Sequence, residues 1–404
     1  MRNFDGILFR ITRLVFLSVV LSACSPTALQ GTPTDGIAAP VTSPTPQPAK
    51  TEVLPTRTST ITPDLASPKP PAISAEVVLS PENADGVVEL AGWGEGYAFN
   101  VKTGRLAANG TLLVQKEIID NLPSFSGGTV RTRFWGIPSG DLQLELIHPD
   151  GYDGLYVSPD GTRFAISQNY CHRENPKPCS LEVYTFPEDQ LLLSIDSGFI
   201  NTAIFSPDGR RMALSTDNDI AILDLEAGKV VRTLPNSFRF DLLDFSHDGN
   251  LLAGSQNMGD GTVRVWRTVT GEQLASLTSK AFPGGYSPSL IAFSPDDAHL
   301  AMVYGGGVEL WRVSDWTEGP PWTWSDLSGI SAISFPPDGR LISAGWTDGQ
   351  IALADATTGK ILKSWDLHSD GTDDYISDIG FSADGKILVS VSMDQTVRFW
   401  GIQR

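Results

Sequence analysis

From about residue 75 to the C-terminus, the chain is a succession of short stretches in which apolar and polar positions alternate. Thr262–Trp266 alternates in this way, Leu251–Ser255 and Leu290–Phe293 are short and mostly apolar, and Gly, Asp, Asn or Pro residues separate one stretch from the next. Alternation with a period of two predicts β-strands, and clustered turn residues predict tight connections between antiparallel neighbours. Helix-forming runs of Ala, Glu, Lys and Leu are scarce. We therefore predict an all-β fold.

One turn sequence recurs six times, in the form apolar residue, Ser, Pro, Asp, Gly with some variation. Its copies begin at Val157, Phe205, Phe245, Phe293, Phe335 and Phe381. The Asp residues of successive copies are 48, 40, 48, 42 and 46 residues apart. A period of about 40–50 residues filled with short strands is typical of four-stranded sheets repeated around an axis.

These features resemble the WD-repeat β-propeller family, in the bacterial style that keeps Ser-Pro-Asp-Gly best, over about residues 75–404. The final unit, Ser390–Trp400, is the most similar to the second and third strands of a family repeat. In that family a His, a Ser, an Asp and a Trp form a hydrogen-bonded chain within a blade. His368, Ser390, Asp394 and Trp400 occupy the matching places, so the resemblance implies a structural role for them.

The blade count follows from the turns. Six turns give six blades from about residue 155, and a degenerate blade over about 97–146 makes seven; eight is the alternative if 75–106 is itself a worn repeat. The chain stops after a third strand, so in this family the N-terminal side would supply the missing fourth strand. We predict that Ala75–Leu79 does so, and that 81–92 forms a short helix.

The first 23 residues differ from the rest. Arg2, Arg10 and Arg13 precede an apolar run, Leu14–Leu21, that is too short to span a bilayer, and Ser22-Ala23-Cys24 follows. This segment resembles a bacterial lipoprotein signal peptide, which implies cleavage before Cys24 and acylation of that residue. The protein would then be exported and anchored at the extracytoplasmic face of a bacterial membrane. The alternative is an ordinary cleaved signal peptide with a chance cysteine.

Residues 24–74 are predicted to be the lipidated Cys24 and a disordered tether. Of residues 25–74, 26 are Pro, Thr or Ser, and none is aromatic. Such a segment buries too little apolar surface to offset the entropy of ordering it. The domain boundaries are therefore 1–23 for the signal peptide, 24–74 for the tether and 75–404 for the propeller.

The charge excludes some partners. The formal net charge is −18, and removing residues 1–23, with three Arg and one Asp, leaves −18 − 3 + 1, or −20. That field repels nucleic acid, so we predict no nucleic-acid partner. The simpler interpretation of the negative charge is that it keeps an exported protein soluble.

Two further cysteines, Cys171 and Cys179, lie in one stretch. In an exported protein they are expected to form a disulfide. A metal site that also uses His172 is the alternative, although it lacks a fourth ligand.

We predict no catalytic residue, no metal and no cofactor. The sequence has no Gly-x-Ser-x-Gly elbow, no His-Glu-x-x-His and no phosphate-binding Gly loop. An acidic loop with Asp370, Asp373, Asp374 and Asp378 does not follow a standard calcium spacing.

Aromatic residues and one Arg mark the predicted binding surface. In a propeller, the connections from each fourth strand to the next first strand emerge at one end, and aromatic and Arg side chains dominate protein interfaces. The candidates are Tyr152, Phe199, Phe238, Arg239, Phe240, Phe282, Tyr286 and Tyr375. The alternative is that they cap the hydrophobic core.

A second group, Trp316, Trp322 and Trp324, either contacts a glycan or partner or packs at a blade edge.

The function predicted from these features is a monomeric, membrane-anchored, extracytoplasmic scaffold that binds protein partners without catalysis. The alternative is a small-molecule or glycan sensor, or an enzyme, that uses the cleft at the loop end or the central channel.

Overall fold

The computed structural model describes residues 58–60, 71–93, 101–107, 110–118, 129–137, 139–149, 152–168, 179–217, 219–235, 239–256, 260–281, 287–305, 307–324, 329–366, 375–394 and 396–403. All of them fall in one compact unit, Pro55–Arg404. The predicted signal peptide, with Cys24, lies outside these residues.

Two strands precede the first complete repeat: β1 (Thr58–Thr60) and β2 (Val88–Trp93), with a single 3-10 turn at Ala84–Gly86 between them. The remaining strands are β3 (Val101–Ala107), β4 (Leu112–Ile118), β5 (Thr129–Gly136), β6 (Leu142–Pro149), β7 (Tyr152–Val157), β8 (Arg163–Gln168), β9 (Ser180–Thr185), β10 (Leu191–Asp196), β11 (Ile200–Phe205), β12 (Arg211–Thr216), β13 (Asp219–Asp224), β14 (Lys229–Pro235), β15 (Leu242–Phe245), β16 (Leu251–Ser255), β17 (Thr262–Arg267), β18 (Gln273–Thr278), β19 (Leu290–Phe293), β20 (His299–Tyr304), β21 (Gly307–Arg312), β22 (Thr317–Glu318), β23 (Trp322–Thr323), β24 (Ile330–Ser334), β25 (Leu341–Trp346), β26 (Gln350–Asp355), β27 (Ile361–Asp366), β28 (Ile376–Phe381), β29 (Leu388–Ser392) and β30 (Val397–Gly401).

These strands form seven antiparallel sheets, which confirms the seven-bladed β-propeller and excludes the eight-bladed alternative. Blades 1 to 6 take their strands from β3–β6, β7–β10, β11–β14, β15–β18, β19–β23 and β24–β27 in turn. Blade 7 combines β28–β30 with β2. The first strands are the innermost, because from blade 2 round to blade 1 the first strands of successive blades contact one another.

The core consists of layers between blades. Seven apolar clusters are found among the described residues, and each lies between two neighbouring blades. Second strands are therefore covered on both faces: every residue of β25 and of β29 is buried. This explains why their sequences are nearly continuous apolar runs rather than alternating ones.

The strand that closes the ring is β2, and the prediction of Ala75–Leu79 was wrong. β2 pairs with β30, from Val88 opposite Gly401 to Trp93 opposite Val397. The predicted helix over 81–92 was also wrong, since only the turn at Ala84–Gly86 is helical. Leu79 is instead fully buried between blades 6 and 7, and its N–H donates to the carbonyl of Gly385 at 3.0 Å.

Blade 1 carries an additional edge strand. The short strand β1 pairs with β6, with Thr58 opposite Ile147 and Thr60 opposite Glu145. Regular structure thus begins before residue 75, inside the segment predicted to be a tether. Within the same blade, a buried ion pair joins Arg133 Nε to Glu145 Oε2 at 2.7 Å.

Part of the predicted hydrogen-bonded chain in blade 7 is confirmed. Trp400 Nε1 donates to Ser390 Oγ at 3.0 Å, and both residues are buried. Asp394 accepts hydrogen bonds from the backbone N–H and the hydroxyl of Thr396, each at 2.8 Å. His368 lies outside the described residues. Burial of an indole N–H with a partner avoids the cost of an unsatisfied donor.

The recurring turn joins the first and second strands of a blade, and its Ser and Asp side chains hold it together. Ser206 Oγ donates to Asp208 Oδ1 at 2.6 Å and accepts the N–H of Arg211 at 2.9 Å. Asp208 also accepts the N–H of Arg210 at 3.1 Å, and Gly209 has a φ of 66° that favours glycine. The turns containing Ser158, Ser246, Ser294 and Ser382 repeat this arrangement.

Two copies of the turn differ. Pro336 takes the place of the Ser, so that turn lacks the hydroxyl bridge. In blade 5, Asp297 takes the place of the Gly and adopts a φ of 56°. Its carboxylate accepts the backbone N–H groups of His247 and Asp248 in blade 4, at 2.6 and 2.9 Å. The cost of this left-handed backbone is offset by two hydrogen bonds to the neighbouring blade.

The Asp carboxylates of five turns have pKa values below the ordinary 3.8: Asp160, Asp208, Asp248, Asp296 and Asp384. Burial is the largest influence on Asp208 and raises its pKa, but the Ser206 hydroxyl, the Arg210 N–H and nearby Arg charges together outweigh it. For Asp296 the hydrogen bond from Ser294 is itself the largest influence. In every case the ionised carboxylate is the stabilised form.

Removing one turn hydroxyl tests this account. We expect Ser206→Ala to lower the free energy of unfolding by about 1–2 kcal/mol, because the N–H of Arg211 and the carboxylate of Asp208 lose a shared partner. Urea denaturation of the full chain measures the change. The control is Ser197→Ala, whose hydroxyl donates only to the adjacent Gly198 carbonyl and which should change stability by less than about 0.5 kcal/mol. Equal effects in the two variants would contradict the structural role of the turn.

The depressed pKa values predict acid sensitivity. A carboxylate whose folded-state pKa is depressed stabilises the fold above its unfolded-state value, and this contribution is lost as the pH falls through the folded-state value. The urea concentration at which half of the protein is unfolded should therefore fall as the pH decreases below about 3.8. The loss should be smaller in Asp208→Asn, which cannot ionise at that turn. An identical acid-induced loss in the variant would contradict the assignment.

Candidate functional site

The described connections from fourth to first strands hold four of the predicted binding residues at one end of the ring. Of these residues, Phe199, Arg239, Phe240 and Tyr375 lie in described connections, and Tyr152 begins β7. Phe238, Phe282 and Tyr286 lie outside the described residues, so their part in the surface stays a prediction.

Phe199 and Arg239 come together between blades 3 and 4. The guanidinium of Arg239 lies over the Phe199 ring, 6.0 Å from its centre, and Arg239 Nε donates to Asp241 Oδ1 at 2.9 Å. The Phe199 residue is 41% exposed and the Arg239 side chain 53% exposed. A stacked and ion-paired guanidinium has lost part of its conformational freedom already, so a partner that contacts it pays less entropy on binding.

Two polar residues that sequence analysis missed extend this group. Asn201, at a register shift near the start of β11, donates from Nδ2 to Asp217 Oδ1 at 3.4 Å. Asp217 lies in the turn between the second and third strands of the same blade. A signal existed in the sequence, because turns between second and third strands reach the same end of the ring as the aromatic loops. We call Phe199, Asn201, Asp217, Arg239 and Asp241 the blade 3–4 surface.

Phe240 does not belong to this surface. It is fully buried, it packs edge-on against Trp266 with ring centres 5.4 Å apart, and its N–H donates to Ser215 Oγ at 3.3 Å. The alternative interpretation, that such residues cap the core, holds for Phe240. Its neighbour Arg239 points outward because successive residues of extended chain face opposite sides.

A second exposed apolar group lies between blades 6 and 7. Tyr375 is 40% exposed, and its carbonyl accepts the N–H of Met393, which is 45% exposed, at 2.8 Å. Sequence analysis identified Tyr375 but not Met393. Together they provide a flexible thioether and an aromatic ring at the loop end of the ring.

The tryptophans of blade 5 pack at the blade edge, which confirms the simpler interpretation of that group. Trp322 and Trp324 are each 7% exposed, and their rings stack with centres 6.3 Å apart. Trp324 Nε1 donates to the carbonyl of Gly359 in blade 6 at 2.9 Å. Trp316 is half-buried in the turn before β22.

No group of three or more His, Cys, Asp or Glu residues that could hold a metal ion occurs among the residues described. Asp370, Asp373 and Asp374 fall outside them, while Asp378 accepts the N–H of Ile379 at 2.9 Å.

The structure describes only some of the residues on which the cysteine and membrane predictions depend. Cys179 is 3% exposed and Cys171 lies outside the described residues, so the disulfide stays a prediction. A search of the described segments finds no helix long and apolar enough to cross a membrane.

Comparisons with known proteins agree with the fold. A family described as anaphase-promoting complex subunit 4 WD40 domain matches residues 285–381, and one described as WD domain, G-beta repeat matches residues 229–267. The first covers parts of blades 5 to 7, and the second covers parts of blades 3 and 4.

Similar individual proteins are eukaryotic. The guanine nucleotide-binding protein subunit beta of Oryza sativa subsp. japonica is 26% identical over 32% of this chain and 36% of its own length. The WD repeat-containing protein 26 homolog of Arabidopsis thaliana is 34% identical over 38% of this chain and 25% of its own length. Protein tipD of Dictyostelium discoideum is 26% identical over 70% of this chain and 45% of its own length. The chain spans less than half of each of these relatives.

The strand order and the repeat matches lead to one conclusion: this chain contains WD40 repeats, assembled in a seven-bladed β-propeller.

Proposed function

We propose that this propeller is a non-catalytic scaffold that binds a protein partner through the blade 3–4 surface. The observation that carries the proposal is the exposed Phe199–Arg239 pair, in which Arg239 is also hydrogen-bonded to Asp241 and is followed in the chain by the buried Phe240. Aromatic and Arg side chains on a rigid base are what interface hot spots use. The loops rest on a ring whose blades are packed on both faces, so the surface needs little reorganisation on binding.

The comparisons support the same class of function. Two of the matching proteins are, by name, subunits: guanine nucleotide-binding protein subunit beta and the anaphase-promoting complex subunit 4 whose WD40 domain resembles residues 285–381. Propellers of this kind are typical of protein-interaction scaffolds. The partner of this chain is identified by chemistry alone: a protein surface with an apolar or aromatic residue to contact Phe199 and an acceptor for the outer N–H groups of Arg239.

We also propose that the protein is exported and anchored to a membrane by acylation of Cys24. The support is the order of Arg residues, short apolar run and Ser22-Ala23-Cys24 in the sequence. A lipid-modified residue followed by a polar segment would keep the propeller near the bilayer without a membrane-spanning helix.

Substitution of the two surface residues tests the binding role. In Phe199→Ala/Arg239→Ala, the yield of a discrete cross-linked complex from intact cells should fall at least about tenfold, with the unfolding midpoint unchanged. The control is Val230→Ala/Val231→Ala, which removes exposed apolar side chains from the outer strand of the same blade. We expect the control to retain the complex.

Other outcomes of this experiment are informative. A complex retained by the Phe199/Arg239 variant would contradict the blade 3–4 surface as the binding site. Failure to find any discrete complex, together with a rise in melting temperature on adding a sugar or ion, would favour the small-molecule or glycan sensor instead.

Anchoring is tested by fractionation and mass spectrometry. We expect the wild-type chain in the membrane fraction, with an N-terminal fragment that begins at Cys24 and carries acyl mass. Cys24→Ala should move the protein to the soluble fraction, because the acyl acceptor is lost. Cys171→Ser, which also removes one cysteine, should leave membrane association intact. An unacylated wild-type N-terminus would contradict this proposal and leave the binding proposal standing.

A further inference from the structure

Blade 5 has the only interrupted outer strand among the outer strands that the structure describes. The place of a continuous fourth strand is taken by two short pieces, β22 and β23, which both pair with β21. Gly319, Pro320 and Pro321 separate them, and neither Pro offers an N–H for pairing. The N–H of Gly319 donates to the carbonyl of Leu310 at 2.8 Å. Few backbone hydrogen bonds therefore hold this edge, and its side chains decide whether it stays in place.

Two carboxyl groups meet beside the interruption. Glu309, on β21, is fully buried, and its Oε2 accepts the indole N–H of Trp311 at 2.9 Å. Its Oε1 accepts the hydroxyl of Ser279, in the connection from blade 4, at 3.0 Å. Glu318, on β22, stands opposite Trp311 in the antiparallel register, so it shares a sheet face with Glu309 and its carboxyl group interacts with that of Glu309. A hydrogen bond between two carboxyl groups requires a proton on one of them.

The surroundings place that proton on Glu309. Glu318 accepts the backbone N–H of Lys280 at 3.2 Å, and the Lys280 ammonium lies 3.6 Å from its Oε2, so its ionised form is supported. The other ionisable group that faces the pair is Tyr304, a buried phenol at the end of β20. Its pKa is raised, mainly by burial and also by Glu309, so the phenol stays neutral and adds no charge. Lys280 is thus the cation that faces the pair within the described chain, and it lies on the Glu318 side.

We propose that the proton shared by Glu309 and Glu318 is a latch that holds the interrupted outer strand of blade 5 against the connection from blade 4. Loss of the proton leaves two carboxylates in contact at a buried position, and their repulsion opens the edge that carries β22. The device joins two blades, because Ser279 and Lys280 from blade 4 hold one carboxyl group each.

The pKa values of the two carboxyl groups are displaced in opposite directions. Burial, followed by the hydrogen bond to Glu318, raises the pKa of Glu309 to about 7, while the hydrogen bond from Glu309 and the contact with Lys280 lower the pKa of Glu318. Because the folded-state pKa of Glu309 is raised, its contribution to stability is present below the ordinary glutamate value of 4.5 and is lost as the pH rises through about 7. The latch is closed in mildly acidic and open in mildly alkaline solution.

Hydrogen exchange on the full-length chain tests the latch. Peptides that cover residues 313–324 should exchange at least about tenfold faster at pH 8.5 than at pH 5.5, after correction for the intrinsic pH dependence of exchange. Trp311 should report the same midpoint by its emission, since its indole N–H donates directly to Glu309. In Glu309→Gln the side-chain amide donates to Glu318 without ionising, so both pH-dependent changes should disappear.

A matched control comes from the same pair of blades. Asp244, on the first strand of blade 4, accepts the N–H of Phe293 at 2.7 Å, and burial raises its pKa to about 7 as well. Asp244→Asn removes this titration but leaves the Glu309–Glu318 pair, so the pH response of residues 313–324 should persist. A response that persists in Glu309→Gln, or that disappears in Asp244→Asn, would overturn the proposal.

If a variant does not fold, the wild-type protein alone still tests the latch. Equal protection of residues 313–324 at the two pH values in the wild-type protein would overturn the latch without any substitution. A protection change of the expected size that is spread evenly over all blades would also overturn it, because a local latch predicts a local change.

Discussion

The packing of each blade face against its neighbours is the constraint on which the rest of the structure depends. A blade such as β24–β27 has a second strand that is buried along its whole length, so it presents apolar surface on both faces. Neither face is covered unless the next blade is present on that side, and this requirement continues until the ring closes. The cluster between blades 7 and 1, which contains Trp93, Trp135 and Phe399, is the layer that completes it.

The repeated turn gives a structural role to several of the acidic residues in this chain. In five of the six turns the Asp, such as Asp208, accepts a hydroxyl and at least one backbone N–H within its own turn, whereas Asp338 accepts only the N–H of Arg340. A carboxylate used in this way contributes to the stability of its own turn. The exposed groups that could contact a partner therefore come from connections outside the repeated turn, where Phe199 and Arg239 lie.

Departures from the repeat gather at the junction of blades 4 and 5. Asp297 replaces the turn glycine and binds two N–H groups of blade 4, Asp244 reaches the N–H of Phe293, and Glu309 accepts a hydroxyl from Ser279. Each of these contacts crosses between the two blades through a carboxyl group. The stability of this junction therefore depends more on the protonation of carboxyl groups than the stability of a purely apolar junction does. The interrupted outer strand lies at the same junction.

The sequence by itself determined the strand content and the repeat, and it limited the blade count to seven or eight, because alternation and turn chemistry are local properties that every repeat restates. It also identified Phe199 and Arg239, since aromatic and Arg residues stand out in a loop. Only the tertiary structure decided which N-terminal strand closes the ring, because the sequence favoured Ala75–Leu79 and predicted a helix over 81–92, where most of β2 lies. The segment Val88–Trp93 takes this position because it pairs with β30 as β2 and because Trp93 packs against Trp135. The tertiary structure also decided that Arg239 is exposed and its neighbour Phe240 buried, and that Glu309 and Glu318 lie together on β21 and β22. Neither result could be read from the sequence, because burial and proximity arise from how the whole chain packs.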